Sequence, residues 1–74
     1  MNNIGFNIRR IRGLRGFKQA YMAHALKISI NSYGKIERNE VNLKISRLEE
    51  IALVLKTTVE HILTFEENDY FKKR

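Results

Sequence analysis

The stretch ISINSYGKIERN, residues Ile28–Asn39, decides the fold, because it predicts a short helix with a defined start and end. Ser29 is a good N-cap residue, since its side chain can accept a hydrogen bond from a backbone amide two or three residues further on. Tyr33 and Ile36 are three positions apart and share one helix face. Asn39 tolerates a positive φ and can follow the helix end. Small polar residues cluster at the start of this helix.

A second short helix is predicted just before this stretch, from about Gln19 to Leu26, with Met22 and Ala23 on its apolar face. The loop of residues 26–28 is too short to let the two helices run antiparallel, so a sharp turn joins them. Two helices joined in this way form a helix-turn-helix arrangement. Its second helix has an exposed N-terminal end, and an α-helix of this kind fits the major groove of B-DNA.

Three further helices are predicted from apolar residues at helical spacing. They run from Ile4 to about Arg15, from about Ser46 to Lys56, and through a short segment that Thr58 caps. Asn2 or Asn3 is the predicted N-cap of the first, and Gly16 can supply the left-handed residue that ends it. Proline is absent and no long alternating segment occurs, so the chain is predicted to be all-α, with one domain over residues 1–64 and a tail over residues 65–74.

The charge of the chain is unevenly distributed. Its 74 residues carry a net charge of +6, and all eight acidic residues fall from Glu37 onward. Residues 1–36 hold seven Lys or Arg and no acid, so that half is +7 and the other half is −1. A polyanion is a natural partner for such a surface, although a solvated basic face is the alternative.

Several classes of protein find no support in the sequence. Cysteine is absent, which excludes disulfides and thiolate metal sites. No apolar run approaches the roughly 18 residues of a membrane-spanning helix, so we expect a cytoplasmic protein that does not enter the membrane. His24 and His61 stand alone, and neither paired catalytic carboxylates nor a glycine-rich phosphate loop occurs. We therefore predict no enzyme, no metal and no cofactor.

With these motifs in place, the chain resembles the Cro and phage-repressor-like helix-turn-helix proteins, also called the xenobiotic-response-element family. The resemblance runs from about Ile8 to Leu63. It rests on an ordered set of motifs: I-x-x-I-R at Ile8, F-x-Q-x-x-M-A at Phe17, I-S-x-x-x-Y-x-x-I-E-R-N at Ile28, L-x-x-I-A-x-x-L at Leu48 and V-x-x-I-L at Val59. Each motif alone is weak, but the ordered set is specific.

The resemblance implies a compact five-helix bundle of the lambda-repressor type and a role for individual residues. The implied base contacts are Ser29, Ile30, Asn31, Ser32 and Lys35. The implied phosphate contacts are Lys18, Gln19, Arg38, Asn39 and Lys44. In the family a glutamate after the recognition helix core pairs with an arginine of helix one, and these are Glu37 and Arg12 here. Lys27 and Lys56 stand where the family usually has glycine, and Lys27 is expected to hold a positive φ.

The implied function is sequence-specific regulation of transcription, with the third helix (about residues 29–38) in the major groove of double-stranded DNA. The implied assembly is a homodimer on a pseudo-palindromic operator. Its candidate interface consists of Val59, Ile62, Phe65, Tyr70 and Phe71. A protein-interaction module, such as an antitoxin that binds a toxin partner, is the alternative. Phage repressor and restriction-modification controller also remain open.

Overall fold

The computed structural model describes residues 3–65, and within this range the chain folds into five helices and no strand. In chain order they are α1 (Ile4–Arg15), α2 (Gln19–Leu26), α3 (Ile30–Glu37), α4 (Ile45–Leu55) and α5 (Val59–Thr64). The all-α prediction is confirmed, and every predicted helix is present with ends within one or two residues. None of the five described helices is long and apolar enough to cross a bilayer.

The core draws on all five helices. Its fully buried side chains are Ile8, Ile11, Met22, Tyr33, Ile51, Leu55 and Ile62. Each removes apolar area from water, which stabilises the fold by ~25 cal/mol per Å². The i, i+3 and i, i+4 spacing of these residues in the sequence gives every helix one apolar face, and the five faces meet in the middle.

Four of the five helices end in the same backbone motif, in which a residue one or two positions beyond the helix end adopts a left-handed conformation. That residue is Gly16 after α1, Lys27 after α2, Asn39 after α3 and Lys56 after α4. The predictions for Gly16, Lys27 and Asn39 are confirmed, with φ values of 77°, 60° and 59°. A left-handed lysine costs on the order of 1 kcal/mol relative to glycine.

Two helix starts have the predicted capping hydrogen bond, and a third has the predicted residue at the N-cap without that bond. The Ser29 hydroxyl accepts from the Ser32 amide at 3.0 Å, and Thr58 accepts from the His61 amide at 3.0 Å. Asn3 occupies the N-cap position of α1, but its side chain makes no capping bond, and Asn2 lies outside the described residues. Asn3 therefore holds the predicted N-cap position without a capping hydrogen bond, and the alternative, Asn2, stays a prediction.

The first turn of α1 is capped from another part of the chain. The Gly5 amide donates to Asn39 Oδ1 at 2.9 Å, across 34 residues of sequence. Gly5 allows this approach because a Cβ there would clash with the carbonyl oxygen of Ile36 and lie 2.7 Å from that of Glu37. The start of α1 therefore rests directly on the end of α3, which fixes the orientation of α3 in the domain.

Candidate nucleic-acid interface

The junction between α2 and α3 has the geometry of a helix-turn-helix. The Ile28 amide donates to the carbonyl of Ala23 at 3.0 Å, which closes the end of α2. Lys27 supplies the left-handed residue of the turn, and α3 begins directly after Ser29. Met22, Ala23 and Leu26 are buried, so α2 holds α3 from behind.

One face of α3 is open to solvent, and all five residues predicted to contact bases lie on it. We call this set, Ser29, Ile30, Asn31, Ser32 and Lys35, the reading surface; each of its residues is exposed. On the other side of α3, Tyr33 and Ile36 are buried in the core. The Ser29 hydroxyl donates to Ser32 Oγ at 3.0 Å, so Ser29 is already engaged within the helix start. Asn31, Lys35 and Ile30 offer an amide, a cation and an apolar side chain.

The five residues predicted to contact phosphates differ in their partners. Lys18 and Lys44 are exposed at the N-caps of α2 and α4. Gln19 Nε2 donates to Glu37 Oε1 at 3.0 Å, and Asn39 Oδ1 accepts from the Gly5 amide. The guanidinium of Arg38 is paired with a carboxylate that the sequence did not point to, that of Glu40.

A buried ion pair fixes the reading surface to α1. Arg12 Nε lies 2.6 Å from Glu37 Oε2, and Arg12 Nη2 lies 3.2 Å from Glu37 Oε1. This is a two-point guanidinium–carboxylate contact, which is the strongest geometry available to such a pair. The Tyr33 hydroxyl donates to Glu37 Oε2 at 2.5 Å. The side chains of Arg12 and Glu37 are 16% and 3% exposed, so water screens the contact less than it would screen an exposed pair.

These contacts shift the pKa values of Glu37, Tyr33 and Arg12. Burial alone raises the pKa of Glu37, but the hydrogen bonds from Arg12, Tyr33 and Gln19 outweigh it, so the pKa lies below the ordinary value. Burial, together with the neighbouring Glu37 carboxylate, raises the pKa of Tyr33. The hydrogen bond to Glu37 raises the pKa of Arg12. Glu37 and Arg12 are therefore both charged at neutral pH, and Tyr33 stays a donor.

A second arginine–glutamate pair lies at the exposed end of α3. Arg38 Nε lies 3.0 Å from Glu40 Oε2, and Arg38 Nη2 lies 3.3 Å from Glu40 Oε1. The two side chains are 58% and 50% exposed. Sequence reasoning missed this pair, because residues two apart do not face each other in a helix. The left-handed turn at Asn39 reverses the chain and brings them together.

A groove of about 580 Å³ runs beside the reading surface, between α3, the α3–α4 loop and the start of α4. Lys35, Lys44 and Arg47 line it, together with one acid, Glu50. Arg47 was not predicted. Its Nη1 lies 2.8 Å from Glu50 Oε1 and also donates to the carbonyl of Leu26, so it ties α4 to the end of α2. The groove therefore continues the basic surface away from α3.

The candidate dimer residues are not all at the surface. Ile62 is completely buried and Phe65 is 8% exposed, so both belong to the core of one domain. The structure corrects the prediction for these two residues, because their apolar faces turn inward. Val59 is half-buried, and the exposed apolar residue on α5 is Leu63. Tyr70 and Phe71 lie outside the described residues.

Comparison with known proteins places this geometry in a family. The sequence profile of the helix-turn-helix family matches residues 8–62, which is most of the chain. No curated protein sequence matches it.

Two solved structures resemble it at low identity and show the fold alone. The clp gene regulator ClgR from Corynebacterium glutamicum matches at 21% identity and a TM-score of 0.80, over 84% of this chain and 66% of that chain. The hypothetical transcription factor NHTF from Neisseria matches at 20% identity and a TM-score of 0.79, over 99% and 83%.

A further relative has higher identity. The N-terminal DNA binding domain of SinR from Bacillus subtilis matches at 28% identity and a TM-score of 0.74, over 86% of this chain and 94% of that domain. The chain therefore belongs to the helix-turn-helix family, of the Cro and phage-repressor type that its motifs resemble.

Proposed function

We propose that this protein is a DNA-binding transcription regulator that recognises a specific sequence by inserting α3 into the major groove. The observation that carries the proposal is the reading surface, in which four polar side chains and one apolar side chain are exposed. The opposite face of α3 is buried in the core. Its family membership and its likeness to the DNA binding domain of SinR support the same conclusion. An exposed helix of this kind fits the width of the major groove.

The chemistry of the reading surface suits base recognition. Asn31 can form two hydrogen bonds with adenine, Lys35 can donate to guanine, and Ile30 can pack on a thymine methyl group. Ser32 has a hydroxyl that accepts from Ser29 and can donate to a base or a phosphate. Each good contact of this kind contributes ~1–3 kcal/mol of discrimination against a wrong base.

The residues around the reading surface would hold the DNA backbone. Lys18 and Lys44 supply exposed cations at the starts of α2 and α4. Gln19 uses one Nε2 hydrogen for Glu37 and keeps the other for a phosphate. Arg38 and Asn39 would act at the far end of α3. These contacts position the helix and carry no sequence information by themselves.

We further propose that the regulator acts as a homodimer on a pseudo-palindromic operator. Val59 and the exposed Leu63 offer an apolar surface on α5, and Tyr70 and Phe71 follow it in the sequence. A two-fold axis would place two α3 helices roughly 34 Å apart, one DNA turn. Binding to a protein partner is the second candidate, because a related structure at 28% identity is a complex of SinR with SinI.

The experiment is selection of binding sites from a pool of random duplex DNA at roughly physiological salt, where sequence-independent binding is weak. We expect a two-fold symmetric consensus for the unchanged protein. A variant with Asn31→Ala and Lys35→Ala should lose that preference while it keeps its helical content. The matched control is Lys56→Asn, which removes the same single charge from the end of α4 and keeps a residue that tolerates positive φ.

Each outcome decides a different part of the proposal. An unsymmetric half-site would keep DNA recognition and remove the dimer. Equal loss in the double variant and in Lys56→Asn would mean that charge, and not the reading surface, carries the binding. If no sequence is enriched by the folded protein, the proposed function is wrong and protein partners become the first candidates.

A further inference from the structure

The exposed pair of Arg38 and Glu40 lies where α3 would meet the DNA backbone. Its two contacts, at 3.0 and 3.3 Å, join a planar guanidinium to two oxygens of one anion. An arginine binds a phosphate group with the same two-point geometry. The Glu40 carboxylate therefore occupies the donors that a backbone phosphate would use.

The position of Glu40 is fixed by the backbone and does not depend on its side chain. The Asn39 amide donates to the carbonyl of Ile36 at 3.1 Å, and the Glu40 amide donates to the carbonyl of Lys35 at 2.9 Å. These two bonds form the motif that closes α3. They hold the Glu40 Cα next to the last turn of the helix, within reach of Arg38.

Gly34 contributes to the same arrangement. A Cβ at Gly34 would lie 2.9 Å from Arg38 Nη1, so the guanidinium lies across the space that this glycine leaves open. Arg38 thus lies back along α3, one turn after Gly34, and is not extended into solvent. The hydrogen bond from Arg38 lowers the pKa of Glu40, so the carboxylate is charged at neutral pH and holds the pair together.

We propose that Glu40 competes with the DNA backbone for Arg38 and thereby lowers the affinity of this protein for any duplex. The inference rests on the proposed DNA-binding function. Before Arg38 can contact a phosphate, it must exchange the Glu40 carboxylate for a phosphate oxygen. An exposed ion pair is weak and exchanges easily, which makes Glu40 a competitor and not a permanent block.

The competition has a measurable signature in the salt dependence of binding. The logarithm of the association constant falls linearly with the logarithm of the salt concentration, because binding releases counterions from the DNA. Each phosphate that the protein neutralises makes this slope steeper by about 0.9. The variant Glu40→Gln keeps the side-chain size and frees Arg38. We expect it to bind duplex DNA of random sequence more tightly, with a slope steeper by up to about 0.9, the value for one complete phosphate contact. A four-fold reduction in salt should then strengthen its binding by up to ~3.5-fold more than that of the unchanged protein.

The control for general charge effects is Glu49→Gln. Glu49 is exposed on α4, does not line the groove beside α3, and its loss changes the net charge by the same amount. We expect Glu49→Gln to bind like the unchanged protein. If Glu40→Gln and Glu49→Gln strengthen binding equally, simple repulsion from DNA explains both, and the proposal is overturned.

A double-mutant cycle tests whether Glu40 acts through Arg38. Arg38→Gln should weaken binding, and adding Glu40→Gln in that background should restore nothing, because no guanidinium remains to be freed. A gain from Glu40→Gln that persists in the Arg38→Gln background would overturn the proposal. If the unchanged protein binds no duplex at any salt concentration, the proposed function itself has failed. If it binds and only Glu40→Gln has no effect, the failure concerns Glu40 alone.

Discussion

Two arginine–glutamate pairs lie at the end of α3. They have the same chemical groups but differ in their exposure to solvent and in the number of side chains that bond the carboxylate. Glu37 and Arg38 are neighbours in the chain, but Glu37 turns inward to Arg12 while Arg38 turns outward to Glu40. The inner carboxylate is 3% exposed and receives bonds from three side chains. The outer carboxylate is 50% exposed and is bonded by one.

The difference in burial gives the two ion pairs different roles. In the inner pair, both charges have lost most of their water, so removal of one partner leaves the other largely buried without its counter-charge. The pair therefore fixes α3 against α1. In the outer pair, water and salt screen both charges, and the contact can be exchanged at little cost. Burial makes the first pair structural and leaves the second available to a ligand.

The largest expected effect comes from removal of the inner carboxylate. Glu37→Ala leaves the Arg12 guanidinium unpaired and removes the acceptor of Tyr33 and Gln19, so we expect the free energy of unfolding to fall by ~3–5 kcal/mol. Urea denaturation followed by circular dichroism measures it. Glu40→Ala is the matched variant and should leave the midpoint unchanged. Equal midpoints for the two variants would contradict the distinction between the pairs.

The next effect concerns the contact that brings α1 onto the end of α3. Gly5→Ala places a methyl group against the backbone carbonyls of Ile36 and Glu37, which cannot move independently of α3. We expect a loss of ~1–3 kcal/mol in the free energy of unfolding. Gly13→Ala is the control, because a Cβ there meets nothing within 4 Å. A Gly5→Ala protein as stable as Gly13→Ala would show that the helices are less closely packed than the structure has them.

Protonation of Glu37 tests the inner pair with a smaller change than Glu37→Ala, because it removes the charge and keeps the side chain. The pKa of Glu37 is lower in the folded protein than its ordinary value of 4.5. Its stabilising contribution is therefore complete above that value and is lost as the pH falls through the folded pKa. Urea midpoints measured from about pH 7 to about pH 3 should fall more steeply for the unchanged protein than for Glu37→Gln. Parallel curves would mean that Glu37 is not the responsible group.

The smallest effect is expected on the outer side. Gly34→Ala introduces a Cβ that meets only the end of the flexible Arg38 side chain, which can swing away. The gain in helix propensity should then raise the free energy of unfolding by up to ~1 kcal/mol. Thermal melts of the two proteins provide the measurement. A destabilised Gly34→Ala protein would show that Arg38 is held more firmly than an exposed pair allows.

Much of the fold could be read from local patterns, because these involve residues only three or four apart. The apolar spacing gave the positions of all five helices, and Ser29 and Thr58 gave two of the helix starts. The exposure of the reading surface follows from the same periodicity. The same periodicity could not predict the hydrogen-bond partners of Gln19, Arg38 and Asn39. Those partners depend on the packing of distant segments or on the path of a turn.

The sequence by itself determined an all-helical chain, its helix-turn-helix and a basic N-terminal half, because helix periodicity, caps and charge are properties of neighbouring residues. Only the tertiary structure decided three further points. It gave the Gly5 amide an acceptor on Asn39, it placed Ile62 and Phe65 in the core, and it paired Arg38 with Glu40. The physical reason is common to all three. Each depends on the path of the chain after a turn or on which helix packs against which, and contacts of this kind have no periodic signature in the sequence.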